Sequence, residues 1–231
     1  MCNRYAFIAD AAMRDLLSKL GVFMGADLQP RYNIAPTNLV PAVRATAKGN
    51  RLEMMRWGLI PHWAKHDTKV TGFTNARSET LTEKPAFRQS FKYRRCLIPA
   101  SGFFEWKKEV KLKQPYYFYR KDEKSMLFAG ISEAWVNPDG KPLDTCAIIT
   151  TTPNELVAPI HARMPVIIPW EIAPFWLDPV EQETDKLRSL LQPLSAELMA
   201  MHRVSTQVNN ATMQGHELIV PETTAGLLFL N

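Results

Sequence analysis

The second residue of the chain carries two reactive groups. In "MCNRYAF", Cys2 follows Met1, and removal of Met1 gives Cys2 a free α-amine beside its thiol. An α-amine has a pKa near ~7.7–8.0, so a neutral fraction can attack an aldehyde at physiological pH and form a Schiff base. The thiol can then add to the imine and close a thiazolidine ring at high effective molarity. The alternative is a cysteine tolerated at a frayed chain end.

Two polar side chains in "FTNARSET" could assist such a reaction. Asn75, Arg77 and Glu79 alternate along a segment expected to be extended, which places them on one side of it. Asn75 could orient a nucleophile or a substrate hydroxyl, and Arg77 could hold a phosphate. The alternative is a turn that starts the next helix.

A carboxylate and a histidine later in the chain could move protons. Glu105 lies between Phe104 and Trp106 in "ASGFFEWKK", where burial would raise its pKa towards neutrality; the alternative is a strand whose glutamate faces water. His161 in "APIHARMPVII" titrates near neutral pH and has Arg163 two residues on. The other four histidines lack a convergent motif and are predicted to be ordinary: His62, His66, His202 and His216.

Aromatic and cationic residues occur together in "PRYNIAPT" and "RWGLIPHWAK". Aromatic platforms beside cations are typical of proteins that bind single-stranded nucleic acid, and core aromatics are the competing explanation. Trp57, within a strand pattern, is predicted to be a core residue. Trp63, in a loop-like stretch, is the better candidate for stacking on a base.

Composition limits the class of protein. The 231 residues are 46% hydrophobic, which suits one β-rich domain, and no apolar run approaches the roughly 18 residues of a membrane helix. Without a signal-peptide pattern, we expect a cytoplasmic protein. The net charge of +5 fits a polyanionic partner, although a solvated basic surface is the alternative. The basic residues that cluster beside aromatic and turn residues are Arg4, Arg31, Arg56, Arg77, Arg94, Arg95, Lys107 and Lys108.

The three cysteines do not suggest a disulfide or a metal site. Their number is odd and they lack CxxC or Cys/His ligand spacing. Cys96 and Cys146 lie in apolar runs and are predicted to be core residues. We expect no metal and no cofactor.

Periodicity predicts an α+β fold in which strands dominate the middle of the chain. A helix is expected over 11–20, with Asp10 as N-cap and Gly21 as the stop, and two strands around a Gly49-Asn50 turn follow. Short strands continue through "DTCAIITTT". The later predicted elements are helices over 154–159, 170–177 and 183–201, and a last strand near "HELIVP".

Several motifs in order resemble the SRAP family, the SOS-response-associated peptidase or abasic-site processing proteins. They are "MCNRY", "RYNIAPT", "RWGLIPHWA", "TNARSET", "RRCLIPASGFFEWKK" and "IHARMPV", with a weaker echo in "VSTQVNN". The resemblance implies one SRAP domain over 1–231, with mostly antiparallel strands in a barrel-like core and peripheral helices. It also implies recognition of abasic sites in single-stranded DNA, notably near a junction with duplex. We expect a monomer that needs no cofactor.

The resemblance also implies roles for individual residues. Cys2, freed by removal of Met1, links through its amine and sulfur to the ring-opened sugar and ends as a thiazolidine. Asn75 positions the reacting group, Glu105 assists proton transfer during ring opening, and His161 assists Schiff-base formation and release. The residues expected to contact DNA or shape the site are Arg4, Asn33, Pro36, Trp63, Arg77 and Arg163.

Position 3 departs from the family pattern, and other functions stay open. Asn3 stands where the family usually has glycine, and asparagine is among the residues that tolerate a positive φ. Its side chain is adjacent to the nucleophile. One alternative is an N-terminal-nucleophile hydrolase in which the Cys2 thiolate attacks an amide. Another is a single-strand binder without catalysis.

Overall fold

Twelve β-strands and four α-helices form the described part of the chain, which comprises residues 2–25, 28–64, 71–109 and 113–222 of a computed structural model. The strands are β1 Tyr5–Phe7, β2 Arg31–Ile34, β3 Leu39–Thr46, β4 Gly49–Trp57, β5 Asn75–Arg77, β6 Arg95–Ala100, β7 Gly102–Lys108, β8 Lys113–Arg120, β9 Met126–Val136, β10 Pro142–Thr151, β11 Met164–Pro165 and β12 Met199–Arg203. The helices are α1 Ala11–Lys19, α2 Pro85–Tyr93, α3 Ala173–Leu177 and α4 Thr184–Ser189.

The first helix follows the sequence pattern closely. The Asp10 side chain accepts a hydrogen bond from the Met13 amide at 2.8 Å, which satisfies one of the unpaired donors at the helix start. Gly21 takes a φ of +71° just beyond the helix end, a conformation that costs glycine little. The prediction for 11–20 is therefore confirmed.

Five strands close into a barrel. β3 pairs with β4 and β6, β9 pairs with β6 and β10, and a parallel pairing of β10 with β4 completes the ring. The other four pairings are antiparallel. Fully buried side chains of these strands, including Val43, Trp57 and Phe128, belong to the main hydrophobic core. The predicted fold class, α+β with mostly antiparallel strands in a barrel-like core, is confirmed.

A second, five-stranded sheet holds the amino-terminal strand. Its order is β12-β8-β7-β1-β2, and its neighbours are antiparallel. Tyr5 of β1 packs edge-on against Trp57 and Phe128, with ring centroids 5.4 and 5.8 Å apart, which joins this sheet to the barrel. The Phe104 amide donates to the Arg4 carbonyl at 3.0 Å. The residues before Tyr5 therefore lie beside the strand that carries Glu105.

The end of β10 lies between two short strands. β5 pairs with β10 in parallel, with Arg77 opposite Thr150, and β11 pairs with it antiparallel, with Pro165 opposite the same threonine. A strand residue has one partner on each edge, so β5 and β11 flank β10. The segments containing Asn75 and His161 are therefore brought to the same end of the barrel.

Two predicted helices differ from the structure. Residues 155–160 form turns rather than a helix, and helical structure in the predicted 183–201 helix is limited to α4 and a 3₁₀ turn at Ala196–Leu198. Pro193 follows α4, and a proline disfavours helical geometry in the residue before it. The end of the same pattern forms β12, because it pairs with β8 over five residues.

One predicted turn and one predicted strand also differ. The β3–β4 turn lies at Ala47-Lys48, because Gly49 already belongs to β4. "HELIVP" contains a 3₁₀ turn at His216–Leu218 instead of a strand. The predicted helix over 170–177 is confirmed, because a 3₁₀ turn at Trp170–Ile172 runs directly into α3.

The burial of individual side chains tests several predictions made from the sequence. Trp57, Cys96 and Cys146 are fully buried, as predicted. Arg95, however, is a buried structural residue rather than part of a basic surface. Its guanidinium donates to backbone carbonyls of Phe91, Lys92, Trp176, Asp178 and Glu181. None of the helices in the described ranges is long and apolar enough to cross a membrane.

Candidate active site

Cys2, three residues before β1, is fully buried rather than frayed. Its Sγ lies 3.8 Å from the Arg4 carbonyl oxygen. Burial, and then the nearby Glu105 carboxylate, raise the pKa of the Cys2 thiol well above its ordinary value. The protonated thiol is therefore the stable form, and it needs a base to become a nucleophile.

Glu105 is a buried carboxyl group in β7, with 3% of its surface exposed. This excludes the alternative of a glutamate that faces water. Burial raises the pKa of Glu105 from 4.5 to about 7. Its Oε1 makes no hydrogen bond within the described residues and lies 3.5 Å from His161 Nδ1.

His161 follows the turns at 155–160. Its amide donates to the Val157 carbonyl at 2.9 Å, and its Nδ1 lies 2.9 Å from the Arg163 carbonyl oxygen and 3.1 Å from the Arg163 nitrogen. Burial lowers the pKa of His161, which favours the neutral imidazole. A carboxyl group that titrates near pH 7 beside a neutral imidazole can take up and release protons at physiological pH.

In the side-chain amide of Asn75, the nitrogen is hydrogen-bonded and the oxygen is not. Its Nδ2 donates to Asn3 Oδ1 at 2.9 Å and to Thr74 Oγ1 at 3.0 Å. Its Oδ1 is buried without a hydrogen-bond partner in the part of the chain that the structure describes. Asn75 lies in β5 as expected, but Glu79 falls in a 3₁₀ turn, so the predicted alternation ends at Arg77.

Arg163 is engaged within the protein. Its guanidinium donates to both carboxylate oxygens of Glu79, at 2.6 and 2.9 Å, and to the Thr150 carbonyl at 2.6 Å. The hydrogen bonds from Arg163 lower the pKa of Glu79. In this arrangement, Arg163 fixes the backbone beside His161.

A cleft of about 630 Å³ opens over Glu105 and His161. Arg4, Lys108 and Lys113 also line it. Two further lining residues, Trp106 and Asn209, are joined by a hydrogen bond of 2.6 Å from the indole nitrogen to the Asn209 side chain. Cys2 and Asn75 do not line this cleft.

Arg4 is held in place by Asn33. Its Nη1 donates to Asn33 Oδ1 at 2.7 Å and to the Val208 carbonyl at 2.6 Å, and the guanidinium lies 5.7 Å from the Trp106 ring centroid. Asn33 is fully buried, and its Nδ2 also lies 3.0–3.3 Å from the carbonyls of Val208, Asn210 and Met213. The "VSTQVNN" segment thus supports the cleft from behind Arg4.

The remaining predicted DNA contacts lie elsewhere. Arg77 is exposed at the end of β5, two residues after Asn75. Trp63 is 61% exposed, and Pro36 is half-buried in the turn after β2. Neither Pro36 nor Trp63 lines the cleft, so their contact with DNA stays a prediction.

The other histidines are in different surroundings. His62 Nδ1 lies 3.4 Å from Glu133, and His202 Nε2 lies 2.7 Å from the Ile219 carbonyl. His216 is exposed, and its ring packs edge-on against Tyr32. His66 lies outside the described residues. Within the described ranges, no group of three or more His, Cys, Asp and Glu side chains could hold a metal ion.

Sequence reasoning missed four residues of the site. Trp106 could have been found as the direct neighbour of Glu105, but Lys113 becomes visible only with the β7–β8 register, in which it faces Lys108. Thr74 and Asn209 enter through hydrogen bonds that only the folded chain reveals.

A family profile and named relatives match most of this chain. The profile described as "SOS response associated peptidase (SRAP)" matches residues 1–211. The "Abasic site processing protein YoqW" of Bacillus subtilis (strain 168) is 41% identical over 223 residues, covering 95% of this chain and 99% of that protein. "Abasic site processing protein HMCES" of Gallus gallus is 34% identical, covering 84% and 66%. A crystal structure of a Bacteroides thetaiotaomicron protein superposes with a TM-score of 0.86 at 28% identity, covering 96% of this chain and all of that one.

Proposed function

Because this chain belongs to the SOS response associated peptidase (SRAP) family, we propose that it recognises abasic sites in single-stranded DNA, notably near a junction with duplex, and links to them covalently through Cys2. The names of its relatives support abasic-site processing. The observation that carries the chemistry is the buried Glu105, whose pKa is about 7, placed 3.5 Å from His161 and close enough to Cys2 for its charge to raise the pKa of that thiol.

Two events prepare the reacting groups, an amine on the protein and an aldehyde on the DNA. Removal of Met1 frees the α-amine of Cys2. The abasic sugar opens when its ring oxygen gains a proton and its anomeric hydroxyl loses one. Glu105, whose pKa is about 7, can supply the first proton in its protonated form, and solvent water takes up the second.

Two bond-forming steps follow. The amine adds to the aldehyde carbon, and the resulting carbinolamine loses water to give the Schiff base, with His161 taking and returning the proton. The Cys2 thiol then adds across the C=N bond. Sulfur bonds to carbon and the thiol proton ends on nitrogen, so the thiazolidine forms without another leaving group.

The high pKa of the Cys2 thiol favours this order over hydrolysis. A hydrolase would need the thiolate to attack an amide at the outset, and burial disfavours the thiolate. In the proposed reaction the amine attacks first, and the thiol reacts only when the imine carbon is already adjacent.

Wild-type protein and two oligonucleotides test the proposal. A uracil-containing single strand treated with uracil glycosylase should give a shifted band on a denaturing gel. The same strand reduced beforehand with borohydride has no aldehyde and should give none. Intact mass should show the protein without Met1. No band with the unreduced abasic strand, or equal bands with both strands, contradicts the proposal.

The β7–β8 hairpin is expected to bind DNA phosphates. Lys108 and Lys113 face each other directly across the two strands, which is unfavourable for like charges, and both line the cleft. Neither forms an ion pair within the ranges described above. An anion between them would relieve this repulsion.

Replacing both lysines with glutamine should weaken DNA binding and its dependence on salt. Each lost phosphate contact on a single strand lowers the slope of log K against log salt by about 0.7, so we expect a change of about 1.4. Fluorescence anisotropy at several salt concentrations measures it. Lys48→Gln, in the exposed β3–β4 turn, is the matched control and should leave the slope unchanged. An unchanged slope in the double variant excludes the hairpin as a phosphate site.

A further inference from the structure

Three polar side chains form a closed set of hydrogen bonds next to Cys2. The Thr74 hydroxyl donates to Asn3 Oδ1 at 2.9 Å, and Asn75 Nδ2 donates to the same oxygen at 2.9 Å and to Thr74 Oγ1 at 3.0 Å. Asn3 is exposed and directly follows Cys2 in the chain. Its side chain therefore joins the reactive terminus to β5.

The Thr74 corner of this set is rigid. The Thr74 carbonyl accepts from the Trp57 indole nitrogen at 2.8 Å and from the Ile148 amide at 3.1 Å. Trp57 is fully buried. With the Thr74 backbone fixed by the core, the direction in which its hydroxyl donates depends on the acceptor that faces it.

Asn3 supplies that acceptor. A carbonyl oxygen has two lone pairs, and Asn3 Oδ1 uses them for Thr74 and Asn75. Because the Thr74 hydroxyl gives its proton to Asn3, its oxygen is free to accept from Asn75 Nδ2. Both Asn75 N–H groups then point to one side, and Oδ1 must point to the other.

The orientation leaves an unsatisfied acceptor in a buried place. Asn75 is 8% exposed, and its Oδ1 has no partner among the described residues. A buried oxygen without a donor is unfavourable and needs an explanation. Without Asn3, the Thr74 hydroxyl could donate to Asn75 Oδ1 instead. The Asn75 side-chain amide would then flip, which exchanges the positions of its Oδ1 and Nδ2.

We propose that Asn3 is a positioning residue that fixes the Asn75 amide with Oδ1 as an open hydrogen-bond acceptor for the reacting centre. This rests on the proposed function. The donor it would serve is an N–H of the Cys2 α-amine or the hydroxyl of the opened sugar. Asn3 itself touches neither reacting atom and acts through Asn75.

A double-mutant cycle tests this role. Asn3→Gly should slow single-turnover crosslinking at saturating abasic DNA about tenfold, the loss expected for one hydrogen bond, with little change in DNA affinity. Asn3→Asp keeps an acceptor oxygen at this position and should retain most of the wild-type crosslinking rate. In an Asn75→Ala background, Asn3→Gly should have no further effect, because the group it positions is absent.

Amide resonances give a readout that does not need the reaction. The side-chain N–H protons of Asn75 should exchange slowly with solvent in the wild type and in Asn3→Asp, and faster in Asn3→Gly. If the wild type forms no crosslink, the proposed function fails and this exchange still judges Asn3. Unchanged exchange in Asn3→Gly, a wild-type rate in that variant, or additive effects with Asn75→Ala each contradict the inference.

Discussion

Cys2→Ser is expected to abolish the stable adduct with abasic DNA while leaving a Schiff base that borohydride can trap. Serine keeps the α-amine after Met1 is removed, so the imine still forms. A hydroxyl is a much weaker nucleophile than a thiol, so the five-membered ring does not close in a stable form. The variant therefore separates the two bond-forming steps.

The measurement is a pair of denaturing gels, with and without borohydride. The wild type should show a shifted band in both, and Cys2→Ser only with borohydride. Cys96→Ser is the matched control, because Cys96 is also free and fully buried but lies in β6. It should crosslink as the wild type does. A stable band of normal intensity from Cys2→Ser would show that the sulfur of Cys2 has no part in the bond.

The sequence predicted elements whose local signals agree with their tertiary surroundings. α1 has an N-cap, an apolar face and a glycine beyond its end, and it forms as predicted. The segment before Arg203 has a helical spacing of apolar residues, but the open edge of β8 pairs with it as β12. Tertiary hydrogen bonding overrides a weak local preference in such a segment.

The site shows a similar division. Residue type and neighbours identified Cys2, Glu105 and His161 as candidates, and the fold places Glu105 and His161 within 3.5 Å although 56 positions separate them in the chain. The sequence could not show that Asn33 serves Arg4 from a fully buried position. That depends on the docking of the 204–210 segment.

For Asn3, backbone preference alone was a poor guide. Asparagine tolerates a positive φ, but Asn3 does not adopt one: the non-glycine residues with positive φ in the described ranges are Thr37 and Glu123. The side chain matters instead, through its bonds to Thr74 and Asn75. Asn3 therefore differs from the family's usual glycine in supplying a side-chain acceptor to Thr74 and Asn75, and a backbone preference does not describe this difference.

Glu105→Gln is expected to slow the reaction and to stabilise the protein. The folded state raises the pKa of Glu105 from 4.5 to about 7 through burial, so between these values it binds the proton more tightly than the unfolded chain does. The free energy of unfolding therefore falls as pH rises through this range. The total loss is about 3 kcal/mol, complete above pH 7 and absent below 4.5.

Glutamine removes this dependence because it has no charge to bury. Urea unfolding should show Glu105→Gln more stable than the wild type by up to about 3 kcal/mol at pH 8 and nearly equal to it at pH 4.5. Glu133→Gln is the matched control. Glu133 is similarly buried but lies 2.6 Å from Arg94, so its replacement should destabilise the protein.

The rate should change in the opposite direction. Loss of a proton donor typically costs about 10²-fold or more, so single-turnover crosslinking by Glu105→Gln should fall by at least that factor and lose the pH dependence that titrates near 7. A variant that is less stable than the wild type at pH 8 would show that Glu105 is not a strained buried carboxyl group. A more stable variant that crosslinks at the wild-type rate would show that the buried carboxyl group has no part in ring opening. Stability gained together with activity lost is the combination expected of a carboxyl group that the fold keeps buried for proton transfer.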